Sequence, residues 1–321
     1  MSIRPRAGRL WLPALLACLA LAACGGDDEP AAGAGKTRTV TDATGTRVEV
    51  PAEPRRVVAA GETELDAALA LGVKPVATIA GRGQPGKPVR YLGARAEGMP
   101  TVGEVTGPVP ERVLEHDPDL ILLQFVTDRA TLDQLRKIAP VVVTGREAGD
   151  WKADFKRVAA ALGREDRAQE WLADYDKRAA DARGALGGEA SSEISIVRWS
   201  AKQPAFIPAS VFASRVLTED LGLRRPKARA GKLPAHSAPI SLENLDRLDG
   251  DWMFIGTLAA TGPDVASLED ARRSPAFRAL DVAQADHVVP VDGSYWGSRG
   301  GPLAARAVID DVEQALTAGA A

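Results

Sequence analysis

One run of 22 residues constrains the fold more than any other. From Glu165 to Leu186, apolar side chains fall at Ala168, Trp171, Leu172, Tyr175, Ala179, Ala182 and Leu186. That is a 3.6-residue period with charge on the opposite face, the pattern of an amphipathic helix. No proline interrupts it, and Gly187-Gly188 ends it. At 1.5 Å per residue it is about 33 Å long. It lies mid-chain, with alternating strands and helices on both sides. It is either a rigid rod between two lobes or an ordinary long surface helix.

The flanking segments favour two lobes. Thr39–Asp42 and Thr46–Val50 are β-rich runs around Ala43-Thr44-Gly45, a hairpin. Strands are then expected over 56–60, 75–79, 120–123 and 141–144, with helices over 63–71, 110–116, 131–138 and 151–162. Beyond the rod, strands are expected over 194–199, 252–255 and 287–291. Helices are expected there over 211–221, 242–248, from 274 to 280, and over 302–317 with Pro302 at the first position. Strands written as solid apolar runs between helices indicate parallel sheets covered on both faces. The expected fold class is α/β: two α/β lobes with mostly parallel sheets joined by a single long rigid α-helix. The lobes are residues 37–163 and 189–321, and the connecting helix is 164–188.

The first residues are an address. Arg4, Arg6 and Arg9 form a basic region, Leu10 to Ala22 is apolar but short, and Leu21-Ala22-Ala23-Cys24-Gly25 matches a bacterial lipobox. Residues 1–23 therefore read as a lipoprotein signal peptide, with Cys24 as the lipid anchor. Residues 24–36 are small, polar and patternless, a flexible tether. Cys18 leaves with the signal, so the folded part has no cysteine for a disulfide, thiolate metal site or nucleophile. The mature chain has 37 Lys and Arg against 43 Asp and Glu, a formal net charge of −6. An acidic exported chain is a poor candidate for nucleic acid. The expected location is the outer face of the cytoplasmic membrane or the periplasm.

The two lobes share an internal repeat. Glu111-Arg112-Val113-Leu114-Glu115-His116-Asp117-Pro118-Asp119 precedes Leu120-Ile121-Leu122-Leu123. Glu243-Asn244-Leu245-Asp246-Arg247-Leu248-Asp249-Gly250-Asp251 precedes Trp252-Met253-Phe254-Ile255, in the same register at an offset of 132 residues. Each Glu opens a short helix, where the helix dipole alone favours a carboxylate. Asp-x-Asp closes the turn and four apolar residues follow.

The chemistry of most enzymes is missing. His116, His236 and His287 are isolated, which disfavours an imidazole metal site, and no G-x-S-x-G, P-loop or H-E-x-x-H motif occurs. Nothing marks a nucleophile. Cationic and aromatic residues gather instead where strands end: Arg82, Arg146, Arg198-Trp199, and Tyr295-Trp296-Gly297-Ser298-Arg299. Open α/β sheets bind ligands outside the carboxyl ends of their strands. Arginines with Trp and Tyr suit a bulky ligand with anionic oxygens and flat faces. The competing reading puts the aromatics in the core and the arginines in solvent.

These pieces resemble a known family. Val40-Thr41-Asp42-Ala43-Thr44-Gly45, Asp117-Pro118-Asp119-Leu120-Ile121, Ala161-Leu162-Gly163-Arg164-Glu165-Asp166-Arg167-Ala168, Asp220-Leu221-Gly222-Leu223 and Gly300-Gly301-Pro302-Leu303 follow in the order of the substrate-binding lipoproteins of iron–siderophore ABC importers. The resemblance covers most of 39–316 and implies a class III, helical-backbone binding protein. Its ligand, a ferric siderophore that carries the Fe3+ itself, lies between lobes that hinge little; no cofactor or protein metal ligand is needed. By matching position it implies Arg82, Arg198, Trp199, Tyr295, Trp296 and Arg299 as ligand-binding residues, with Glu111 and Glu243 docking on an ABC permease. The expected protein is a monomer held at the membrane by its N-terminal lipid. Cobalamin and haem receptors share this fold, and a lipid-anchored sensor or enzyme is the reading from other classes.

Overall fold

The computed structural model describes residues 36–126, 128–146, 150–226 and 238–318. The signal peptide, Cys24, nearly all of the tether, and His236 lie outside the described residues. Residues 35–321 form one compact unit.

The first lobe begins with a hairpin, β1 (Thr37–Thr41) antiparallel to β2 (Arg47–Pro51). Its turn is held by Asp42, whose carboxylate accepts the Thr44 and Thr46 amides. Next come β3 (Val57–Ala60), α1 (Glu62–Ala70) and β4 (Ala77–Thr78). A small hairpin follows, β5 (Gly103–Glu104) with β6 (Gly107–Pro108). The lobe closes with α2 (Pro110–Leu114), β7 (Leu120–Leu123), α3 (Arg129–Leu135), β8 (Val141–Val143) and α4 (Trp151–Leu162). Strands β4, β3, β7 and β8 form one parallel sheet in that order. Side chains alternate across it, as strand geometry requires. Val57, Leu120 and Leu122 enter the cluster under α1 and α4. Val58, Ala60, Ile121 and Leu123 enter a second cluster with Leu132 and Leu135 of α3.

The connecting helix α5 (Glu165–Ala185) starts and ends within two residues of the positions its periodicity predicts. Ala168, Leu172, Tyr175, Ala179 and Ala182 are its buried face.

The second lobe holds β9 (Ile194–Trp199), β10 (Ala205–Phe206), α6 (Phe212–Arg215) running into a π-turn at Val216–Asp220, and β11 (Ala238–Pro239). A 3-10 helix at Leu242–Leu248 leads to β12 (Trp252–Thr257). Helices α7 (Pro263–Arg273), α8 (Pro275–Arg278) and α9 (Asp281–Gln284) precede β13 (Val288–Pro290). A short helix α10 (Gly293–Trp296) occupies the segment expected as a plain loop, and α11 (Pro302–Ala318) ends the described chain. The sheet order is β11-β10-β9-β12-β13, parallel across β9, β12 and β13 and antiparallel at β10.

The lobes share a core. One cluster contains Val57, Leu120 and Leu122 of the first sheet and Ile194, Ile196, Trp252 and Phe254 of the second. Tyr175 of α5 and Val308 and Ile309 of α11 belong to it too. Covalently the lobes are joined by one helix, and physically by three: α4, α5 and α11.

The internal repeat is built the same way twice. In the first lobe the Asp119 carboxylate accepts the backbone N–H groups of Arg55 and Arg56, just before β3. In the second, 132 residues on, the Asp251 carboxylate accepts the N–H of Glu193, just before β9. Each Asp ties the start of one central strand to its parallel neighbour. Val113 and Leu245, also 132 apart, are the buried pins of the two helices.

Candidate ligand cleft between the lobes

Groups from both lobes meet where strands end. The loop after β4 carries Arg82, whose backbone N–H donates to Glu62 Oε1 at 2.7 Å. Glu62 opens α1 and is buried. Burial raises its pKa, and the Arg82 N–H together with the charges of Arg82 and Arg299 partly offsets that. Arg198, near the end of β9 in the second lobe, donates through Nη1 to the Gly297 carbonyl of the same lobe at 3.1 Å. Its pKa is lowered, first by burial and then by Arg82. Two like charges from different lobes therefore face one another. Arg299 follows α10, with its guanidinium 4.9 Å from the ring centroid of Phe125 in the first lobe, a cation–π contact. Phe125 is also one wall of a cavity of about 220 Å³, whose other walls include Ala60, Leu123, Thr106 and Thr131.

Direct bonds hold the lobes at this distance. Gln84 Nε2 donates to the Leu258 carbonyl at 2.7 Å, and Arg90 pairs with Asp292 at 2.7 Å. Tyr91 and Tyr295 meet edge to face, with ring centroids 5.3 Å apart. A Cβ on Gly83 would stand 2.8 Å from the Leu258 Cβ, so only glycine allows this approach. Behind the cleft, buried Asp66 of α1 accepts the N–H groups of Leu303 and Ala304 at 2.8 and 3.0 Å and the Tyr91 hydroxyl at 2.6 Å. It caps α11 from the other lobe.

The arginines and the aromatics of the expected set separate. Arg82, Arg198 and Arg299 are half-buried around Glu62 and the gap between the lobes. The aromatics of that set are buried. Trp199 is 1 % exposed, packs edge to face on Phe277, and donates Nε1 to Ser267 Oγ at 3.2 Å. Trp296 is likewise 1 % exposed and stacks on Phe254 at 4.5 Å. Its Nε1 and the Tyr295 hydroxyl both donate to Asp311 Oδ2 of α11, at 2.7 and 2.6 Å. With rings buried and polar atoms satisfied, none of the three offers a ligand its face. Arg146 is committed too, giving Nε and Nη2 to the Ala43 carbonyl. Glu111 and Glu243 are exposed at the start of α2 and of the 3-10 helix.

Sequence reasoning passed over Glu62, Gln84, Arg90 and Phe125. Phe125 follows strand β7 and was open to the same post-strand rule as the arginines. Glu62 lies just before the helix expected over 63–71 and opens α1 instead, and only its burial beside arginines distinguishes it.

Among the described residues no helix is long and apolar enough to cross a membrane. The sequence pattern of a family described as periplasmic binding protein matches residues 57–295. A relative from Bacillus subtilis, YfiY, named a probable siderophore-binding lipoprotein, is 30 % identical over 310 residues, 93 % of this chain and 94 % of its own. The iron(3+)-hydroxamate-binding protein FhuD of the same organism is 28 % identical over 95 % of this chain and 96 % of its own. The crystal structure of Staphylococcus aureus SirA complexed with staphyloferrin B superposes with a TM-score of 0.72 at 25 % identity, over 87 % of this chain and 98 % of that one. The shared pattern enters at β3, runs through both sheets and the connecting helix, and leaves in α10. The chain thus belongs to the periplasmic binding protein family, whose members bind a solute rather than transform it.

Proposed function

We propose that this protein is an extracytoplasmic receptor, lipid-anchored at Cys24, that binds a ferric siderophore between its lobes and hands it to an ABC permease. The observation that carries the reading is the half-buried placing of Arg82 after β4, Arg198 near the end of β9 and Arg299 after α10, drawn from both lobes, with Glu62 bonded to the Arg82 backbone. The three guanidiniums bring cationic groups to the cleft from both lobes. Guanidinium forks match the oxygens of an anionic chelate. A ferric carboxylate or catecholate complex presents such oxygens, and the Phe125 ring offers an apolar contact to the organic shell. The similarity to SirA, solved with staphyloferrin B, supports the same class of ligand. Iron travels inside the chelate as cargo, so the protein supplies no metal ligand. A monomer suffices. Glu111 and Glu243, at equivalent places in the two lobes, serve as the acidic contacts with a two-fold permease.

Intrinsic fluorescence of the purified protein tests the ligand. It is titrated with ferric citrate, ferric catecholates, ferric hydroxamates, cobalamin and haem. Saturable quenching by an anionic ferric chelate, weakened about tenfold or more by Arg299→Ala or Arg82→Ala, is the expected result. Selective binding of cobalamin or haem would replace the ligand and keep the receptor. Saturation by none of them, with the protein folded, would overturn the reading.

A further inference from the structure

Glu62 is placed where an acid of its kind is not ordinarily found. A carboxylate in the first turn of a helix usually lies in water, where the helix dipole favours its charge. Glu62 opens α1 and is only 3 % exposed. The sheet explains its position. Strand β3 lies between β4 and β7, and only Gly61 separates its end from α1. The loops that leave the two neighbouring strands carry Arg82 and Phe125. Glu62 therefore stands between them at the carboxyl end of a central strand, where open α/β sheets take their ligands.

The charged groups around it come from both lobes. Arg82 donates its backbone N–H to Oε1 at 2.7 Å. Burial works against the Glu62 charge, while the charges of Arg82 and of Arg299, from the second lobe, work for it. The Tyr91 phenol faces it as well. Three more acids lie close by, Glu64 and Asp66 on α1 and Asp154 on α4. Each is occupied elsewhere. Glu64 accepts the Thr63 and Thr144 hydroxyls, and Asp66 accepts the Tyr91 hydroxyl and the first N–H groups of α11. Asp154 pairs with Arg157 at 2.7 Å, with Arg299 acting on it from further off. An anion drawn to Arg82 and Arg299 competes with Glu62 for the same two cations. An ionised Glu62 then repels the incoming oxygens as a buried like charge. A protonated Glu62 still accepts the Arg82 N–H through Oε1, so the loop stays in place, and both guanidiniums are left to the ligand.

We propose that Glu62 is the residue that sets which ligand charge the cleft accepts, by taking up a proton from solvent when an anionic ferric chelate enters. The inference rests on the proposed function in taking the ligand to be a ferric chelate held near Arg82 and Arg299. The proton comes from the buffer and resides on Oε2, leaving Oε1 as the acceptor. Linkage fixes the sign. A bound anion strengthens the hold of Glu62 on its proton, so the anion binds most tightly at acidic pH and more weakly as pH rises through the titration of the bound form. A neutral chelate makes no such demand. The preference for anionic over neutral chelates therefore grows as pH falls.

Titration calorimetry of the purified protein tests this with ferric citrate, the anionic ferric complex of 2,3-dihydroxybenzoate and the neutral ferric complex of acetohydroxamate. Heats measured in two buffers of different ionisation enthalpy give the number of protons taken up. The wild type is expected to take up a large fraction of one proton with an anionic complex, and Glu62→Gln none. Between about pH 6 and about pH 8 the affinity of the wild type for the anion should fall about tenfold more than that of Glu62→Gln, a comparison in which protonation of the chelate itself cancels. At the alkaline end Glu62→Gln should bind the anion more tightly than the wild type. No uptake by the wild type would overturn the inference. So would uptake that persists in Glu62→Gln, which assigns the proton to Glu64, Asp66, Asp154 or the chelate, or equal uptake with the neutral complex. Weaker binding of the anion by Glu62→Gln at the alkaline end would overturn it as well, because the Glu62 charge would then be holding the arginines for the ligand. An anionic complex that saturates the protein without Glu62-dependent uptake removes this inference and leaves the receptor standing. Should neither anionic complex bind, the proposed ligand class falls and the inference with it.

Discussion

Glu64 illustrates what burial does to a single residue here. Its carboxylate has no exposure to water and accepts the hydroxyls of Thr144 and Thr63. Desolvation dominates those bonds and raises its pKa from 4.5 to about 7. Asp66, two residues further on, is raised from 3.8 to about 6, again chiefly by desolvation and against the hydrogen bonds it accepts. Between about pH 4 and pH 7 the folded protein therefore binds more protons at these two sites than the unfolded chain does. The sign follows: their contribution to stability is complete at the acidic end of that window and is lost as pH rises through it. The urea midpoint should be lower at pH 8 than at pH 5. Glu64→Gln should flatten the difference, and an unchanged slope in that variant would refute the assignment to Glu64. The cleft gives a second contrast between residues. Trp296→Ala removes a buried ring stacked on Phe254 and should cost about 3–5 kcal/mol of stability. Arg299→Ala removes a half-buried cation and should cost affinity instead, with a urea midpoint near wild type. Equal loss of stability in both variants would mean that Arg299 is structural. Sequence alone could not draw this distinction. A Trp and an Arg three residues apart after a strand look equally available, and only the partners show that Trp296 turns to Asp311 while Arg299 turns to Phe125.

Elements were legible in the sequence wherever periodicity decided the matter. Helix α5 buries the apolar positions that its 3.6-residue spacing selects, and the solid runs at 120–123 and 252–255 are central strands buried on both faces. Helix α7 was not foreseen. No residue of it is buried, so its sequence carries no strong apolar stripe to announce it. Four of the two-residue strands, β5, β6, β10 and β11, are likewise too short to show a period. The junction of elements around α5 was also hidden, because it depends on one side chain. Asp220 in the π-turn accepts Lys152 Nζ of α4 at 2.8 Å on one oxygen and the Tyr175 hydroxyl of α5 at 2.7 Å on the other. One carboxylate thus pins two helices to the second lobe. Asp220→Ala should lower stability by about 1–3 kcal/mol, since it leaves the Tyr175 phenol without its acceptor and Lys152 with Asp176 alone. Asp220→Asn should recover part of that loss. Chemical denaturation of the two variants checks both, and a loss below about 1 kcal/mol for the alanine variant would mean that water replaces the carboxylate at no cost.

Across the whole molecule, the sequence indicates two lobes and a rod, and the structure adds what couples them. A rod alone would let each lobe melt by itself. Here the first sheet, the second sheet, α5 and α11 contribute to one apolar cluster, and residues 35–321 form a single compact unit. The coupling is reinforced where α11 begins. Its first free N–H groups are satisfied by Asp66, a residue of the opposite lobe some 237 positions earlier in the chain. Gly301 makes this possible, since a Cβ there would lie 2.8 Å from the Asp66 carboxyl carbon. Calorimetry should accordingly show one unfolding transition for the domain, with calorimetric and van't Hoff enthalpies equal. Two resolved transitions would mean that the lobes are energetically separate despite their shared cluster. Asp66→Ala sharpens the test. Loss of the cap leaves the N–H groups at the start of α11 and the Tyr91 hydroxyl without an acceptor, at a cost of about 2–4 kcal/mol. If the lobes are coupled, the whole transition moves to lower temperature and stays single. If they are not, the transition splits, because the cap is then a local clasp between units that can part.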